Sequence, residues 1–196
     1  MIDFSAVTAS EVWITGDGGA ELSADGEAPL FRLSKRGLRL TLRNLVLHGQ
    51  VVVEGGELVV EGCRFDRSIL ASGIGAALQI RGGRVKVADS DFVNNVALQG
   101  GAVLIDGADD HVDQAEAEFS NCRFESNAAM EKDGGGAFLV RGGRVTFRGG
   151  SILANMAGTN TSGPTPQSFW VESGGEVEYY LPAPRGFWME TAGREF

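Results

Sequence analysis

The stretch Asp91-Phe92-Val93-Asn94-Asn95-Val96-Ala97-Leu98-Gln99-Gly100-Gly101-Ala102-Val103 (residues 91–103) holds a buried-type aromatic, an asparagine three positions on, and a glycine pair that opens a second apolar run. Laying the chain over itself on Phe92 brings Leu47, Phe65, Phe124 and Ile152 into the same place. Three residues after these anchors stand Gln50, Ser68, Asn95, Asn127 and Asn155. Seven and five residues before them stand Leu40 and Leu42, Leu58 and Val60, Val85 and Val87, Ala117 and Phe119, Val145 and Phe147. The anchors are 18, 27, 32 and 28 residues apart, yet the offsets inside each unit hold. A repeat of elastic length and fixed internal register is the pattern of a solenoid, in which loops vary and stacked coils do not.

Each coil reads as three short extended pieces. The first alternates, as in Arg84-Val85-Lys86-Val87, so that two side chains face a core and two face water. The second carries the anchor. The third follows a glycine-rich corner and supplies two more apolar columns, Val51, Leu78, Val103, Phe138 and Phe169, then Val53, Ile80, Ile105, Val140 and Val171. Glycine pairs at Gly55-Gly56, Gly82-Gly83, Gly142-Gly143 and Gly174-Gly175 turn the chain into its next coil, where a positive φ is expected. Short strands separated by corners, with no sustained helical period, predict an all-β fold: a right-handed, single-stranded parallel β-helix of about five to seven coils with irregular capping ends. Residues 1–37 read as irregular opening coils, 38–181 as regular coils, and 182–196 as an exit segment that begins with the strand-stopping Pro182 and Pro184, all within one domain.

Composition narrows the function. The 196 residues carry a net charge of −9, with no Lys/Arg stripe able to release phosphate counterions, so a nucleic-acid partner is excluded from the reading. No apolar run approaches the ~18 residues of a spanning helix, and Met1-Ile2-Asp3-Phe4 is not the start of a signal peptide. The chain is then either cytosolic or a segment of a longer protein. Cys63 and Cys122 share one column two coils apart, with Ser90 between them. At ~4.8 Å per rung their backbones stand roughly 9.6 Å apart, beyond the about 7 Å a disulfide tolerates, so two free thiols are expected.

Phe92-Val93-Asn94-Asn95 and Phe124-Glu125-Ser126-Asn127 match the F-x-x-N motif, and Gly100-Gly101-Ala102-Val103 and Gly135-Gly136-Ala137-Phe138 match the G-G-A-hydrophobic motif, of polymorphic outer-membrane-protein repeats. Residues 38–181 resemble this right-handed β-helix family, and Tyr180-Leu181-Pro182-Ala183-Pro184-Arg185-Gly186 is similar to the segment that leaves such helices in large surface-associated proteins of unicellular eukaryotes. The resemblance implies an extracellular or cell-surface location and a role in adhesion or display. The chain is then expected to be a non-enzymatic module that acts as a rigid scaffold or as a recognition surface, with no cofactor.

Residues able to carry chemistry are few. The column Asn95, Asn127, Asn155 reads as a structural hydrogen-bond ladder. Glu57 stands one coil from Arg84, Arg144 one coil from Glu176, and Asp91 between Arg64 and Arg123, which suggests register-fixing ion pairs. The enzymatic alternative is a carbohydrate-active remnant, lyase- or hydrolase-like, working through Asp89, Asp91 and Arg123 with Arg64 nearby, although no carboxylate spacing singles out such a set. Asp106, Asp109, Asp110, His111 and Asp113 form an acidic loop, read as solvated, with weak calcium binding as its alternative. Asn160-Thr161-Ser162 is an N-glycosylation sequence if the chain enters a eukaryotic secretory route. Between the inward columns of the third strand lie Val52, Gln79, Leu104, Leu139 and Trp170, a mostly apolar outer face. Leu104, Leu139 and Trp170 are therefore the expected contact residues for a protein or glycan partner, unless Phe187-Trp188-Met189 or the amino-terminal residues fold over them.

Overall fold

A computed structural model describes residues 1–24, 26–107, 114–160 and 163–180. These residues form a parallel β-solenoid of about six turns, with no helix among them. Every interior column expected from the repeat is a column of paired residues. Leu22, Leu47, Phe65, Phe92, Phe124 and Ile152 follow one another rung by rung, as do Val51, Leu78, Val103, Phe138 and Phe169. The Phe65, Phe92 and Phe124 rings stack face to face with centroids 4.6 Å apart at each step. Phe119, Phe138 and Phe147 meet this stack edge-on or tilted, and all lie in one continuous apolar core.

Three sheets wrap that core. One holds the first and second pieces of each coil, which are separate strands in Arg84–Ala88 and Asp91–Val93 but run on as single strands in Arg39–His48, Glu116–Glu125 and Gly143–Leu153. Another stacks the third pieces, from Phe31–Leu33 through Val103–Ile105 to Phe169–Val171. The last sheet was not anticipated by a three-piece coil: Ile69–Ile74, Val96–Gln99, Ala128–Ala129 and Met156–Ala157 are parallel strands between the anchor and the glycine corner, closed by the antiparallel Thr165–Pro166. Their inward column is Leu70, Ala97, Ala129 and Ala157, all buried. Within the opening segment, Glu11–Ser23 pairs along Arg39–His48, with a register break between Thr15 and Ala20.

The corners explain why so many small and polar residues recur. The expected positive φ is present at Gly56, Gly83, Gly143 and Gly174, from 76° to 96°. Two further columns of left-handed residues bend each coil: Asn44, Gly62, Asp89, Asn121 and Gly149, and then Arg67, Asn94, Ser126 and Ala154. Asparagine, aspartate and glycine accept this conformation readily, whereas Arg67, Ser126 and Ala154 hold it because rungs above and below dictate it. Pro182, Pro184 and the rest of the exit segment lie outside the described residues.

Candidate functional site

The asparagine column is a buried ladder. Asn95 Nδ2 donates to Asn127 Oδ1 (3.0 Å) and Asn127 Nδ2 to Asn155 Oδ1 (2.9 Å). Each side-chain amide also donates to the carbonyl of the preceding coil's anchor: Asn95 to Phe65, Asn127 to Phe92, Asn155 to Phe124. The same oxygens accept the backbone N–H of the residue one rung back. Side chains thus satisfy the groups that a tight corner removes from the sheet ladder. The F-x-x-N spacing delivers one ring to the aromatic stack and one amide to this ladder per turn. Gln50 performs a related task at the early end, donating to the carbonyls of Ile74 and Gly75.

The G-G-A-hydrophobic motif has an equally direct cause, and it overturns the expected contact face. A Cβ on Gly75 would stand 2.9 Å from Leu104 Cβ, one on Gly100 would stand 3.1 Å from Leu139 Cβ, and one on Gly135 would stand 2.7 Å from the Trp170 nitrogen. The corner that leads into each third strand therefore lies against the outer face of the next coil's third strand. Arg141, at the exit of Phe138–Val140, also donates to Gln99 at the entry of the preceding corner, and so ties the two ends of that face. Leu104 is 1 % exposed and Leu139 0 %, so neither forms an open apolar surface, and only Trp170 remains partly exposed. Alternation placed these side chains on the correct side of the strand; the corner backbone supplied a cover that alternation does not encode.

The open apolar row lies instead on the additional sheet. Ile69, Val96, Ala128 and Met156 are register partners on successive rungs and point outward, Ile69 60 % exposed and the other three half-buried. Beside it runs a charged belt. Asp91 sits between Arg64 (3.7 Å) and Arg123 (2.9 Å), and Arg123 also reaches Glu125 (2.8 Å). Hydrogen bonding to Asp91 holds the Arg123 guanidinium above its ordinary pKa, against the opposing pull of desolvation. Asp89 is engaged elsewhere, accepting from Asn121 Nδ2 at 2.6 Å. The three residues of the enzymatic alternative are therefore split between a bridged Asp91–Arg123 pair and a corner aspartate with its own partner.

The first-strand face is a second charged surface. Glu11, Arg39, Glu57, Arg84, Glu116, Arg144 and Glu176 occupy one outward column, each in register with the next. Its sign alternates at every rung. Arg39 pairs with Glu57 at 2.7 Å, Arg84 with Glu116 at 2.9 Å and Arg144 with Glu176 at 3.0 Å, while Glu57 turns to Lys86 (3.3 Å) rather than to Arg84. A groove of about 770 Å³ follows this column beside the glycine corners Gly56 and Gly83.

The remaining candidates add little chemistry. Cys63 and Cys122 are free and buried, as expected; burial pushes the Cys122 thiol up to about 12 and raises that of Cys63. Sequence reading passed over His48, whose Nδ1 lies 2.7 Å from the Asp66 carbonyl and whose Nε2 lies 3.7 Å from Glu21, in a small cleft with Ser68 and Arg67. Among the described residues no group of three or more His, Cys, Asp or Glu side chains is placed to hold a metal. Asp109, Asp110, His111 and Asp113 lie outside those residues, as do Thr161 and Ser162 of the glycosylation sequence. No helix of the described residues is long and apolar enough to cross a membrane. Compared with protein-family models, curated proteins and solved structures, the chain matches none.

Proposed function

We propose that this chain is a non-enzymatic recognition module: a stiff β-solenoid, displayed at a cell surface or secreted, that presents its additional sheet to a protein or glycan. The repeat motifs support the surface setting through their resemblance to polymorphic outer-membrane-protein repeats. The observation that carries the reading is the outward row Ile69, Val96, Ala128 and Met156, an apolar strip along the additional sheet, with Ile69 60 % exposed and the other three half-buried. Apolar strips beside a charged rim suit recognition, with the strip contributing burial and the rim contributing orientation. The solenoid's contribution is rigidity, because the aromatic stack and asparagine ladder bind every rung to its neighbours.

Beads coated with the protein and applied to eukaryotic cells and to immobilised glycans test this reading. The wild type is expected to adhere, and the double variant Ile69→Asp/Met156→Asp to lose adhesion while keeping its circular dichroism. Equal adhesion by both, or depolymerisation of an acidic glycan by the purified protein, contradicts it.

A further inference from the structure

His48 and Glu21 face each other across two adjacent coils. Glu11–Ser23 and Arg39–His48 are paired so that Leu22 meets Leu47 on the inner side, which leaves Glu21, Ser23 and His48 on the outer one. The Asp66 carbonyl, 2.7 Å from His48 Nδ1, can only accept, so Nδ1 carries the ring proton and donates it to that bond. The neutral ring therefore presents the lone pair of Nε2, and the atom opposite is Glu21 Oε2 at 3.7 Å. Two acceptors stand face to face, and only a cation between them makes the arrangement attractive. The net charge of −9 favours the approach of such a cation.

The separation distinguishes two cations. A proton on Nε2 would draw the carboxylate to about 2.7–2.9 Å in a charge-assisted hydrogen bond. A zinc ion at ~2.0–2.1 Å from both atoms would hold them roughly 3.3 Å apart, along one edge of a tetrahedron. The observed 3.7 Å lies beyond the first and closer to the second, and Glu21, with its side chain 68 % exposed, is free to close the remainder. Arg64 and Arg67 on the following coil turn to the Asp66 carboxylate instead, at 3.5 and 3.9 Å. We propose that His48 Nε2 and Glu21 bind a divalent transition-metal ion of the zinc type, with water in the remaining positions. Imidazole beside carboxylate suits zinc better than calcium, which prefers a full set of oxygens. The bond from Nδ1 to the Asp66 carbonyl is the outer support that a metal-ligating histidine ordinarily has, because it fixes both tautomer and ring orientation. Two protein ligands on neighbouring coils make an exchangeable clamp across the rungs rather than a closed structural site. The pair is invisible to motif spacing, since solenoid register alone brings Glu21 beside His48.

The experiment titrates the full chain with zinc chloride by isothermal titration calorimetry in a non-coordinating buffer, with and without excess calcium chloride. One saturable zinc site that calcium does not displace is expected. It is expected to be lost in His48→Ala, weakened by about tenfold or more in Glu21→Gln, and unchanged in His111→Ala, which removes the chain's other histidine. Because His48→Ala also removes the hydrogen bond to Asp66, long-range proton–nitrogen correlation spectra of the wild-type imidazoles supply a second readout. Zinc is expected to move the Nε2 resonance of His48 and to leave Nδ1 protonated. Absence of saturable binding, binding undiminished in His48→Ala or lost in His111→Ala, or an Nε2 resonance that zinc does not move overturns the proposal. So does an Nε2 that stays protonated at saturating zinc, which makes the contact with Glu21 a simple ion pair.

Discussion

Two outward rows run along the same solenoid, and they differ in everything but hydrophobicity. On the third strands, Leu104 and Leu139 are 1 % and 0 % exposed; on the additional strands, Ile69 is 60 % exposed. Both rows point away from the aromatic core. The difference lies in the backbone beside them: Gly75, Gly100 and Gly135 carry the corner back over the third-strand face, whereas no such corner covers Ile69. A side chain's orientation follows from strand alternation, but its solvation follows from what another part of the chain does next.

The contrast is sharpest where a charge is introduced. Leu139→Asp buries a carboxylate beneath Gly100 and is expected to cost about 4 kcal/mol or more, read as a loss of cooperative unfolding or a large fall in urea midpoint. A near-wild-type midpoint would show that the face opens freely. Second in size is Asn127→Ala, which removes the acceptor for two groups of Asn95 and the donor to Phe92 and Asn155. Its loss is expected to lower stability by about 2–4 kcal/mol, because buried partners on the two neighbouring rungs lose hydrogen bonds. Ala154→Gly works in the opposite direction. Ala154 holds a φ of 54° at an exposed corner, and glycine there is expected to raise the thermal midpoint, by about 1 kcal/mol of stability. The smallest effect belongs to the open row: Ile69→Asp is expected to change stability by no more than about 0.5 kcal/mol in the same urea titration. If it matched Leu139→Asp, the two rows would not differ as described.

The interior was legible because each column is defined twice, once by alternation within a strand and again by a constant offset from the anchor. Phe65, Phe92 and Phe124 satisfy both conditions, and their rings stack. The additional sheet was harder to see. Its inward residues Ala97, Ala129 and Ala157 are small, and Ala128–Ala129 and Met156–Ala157 are only two residues long, so they resemble a loop of variable length. Their signal was the buried residue always two positions after the asparagine column. The covered leucines were misjudged for another reason. Gly100-Gly101 and Gly135-Gly136 were taken only as a turn, yet a Cβ on Gly101 would stand 2.0 Å from the Gly136 carbonyl oxygen, so these pairs also record a close approach between coils. Left-handed Arg67 and Ala154 left no trace in residue type, since their conformation is imposed by register with Asn94. The candidate site was correspondingly less legible than the fold, because exposure depends on contacts that no local pattern contains.

Rung-by-rung register is the claim on which both rows depend, and cross-linking measures it directly. Lys86 and Glu118 are neighbours in an outward column, and Thr146 follows one rung later. The pair Lys86→Cys/Glu118→Cys, ~4.8 Å apart in the backbone, is expected to form a disulfide under mild oxidation, while Lys86→Cys/Thr146→Cys, roughly 9.6 Å apart, stays reduced. Disulfide formation in the second pair but not the first would contradict the stacking of these coils.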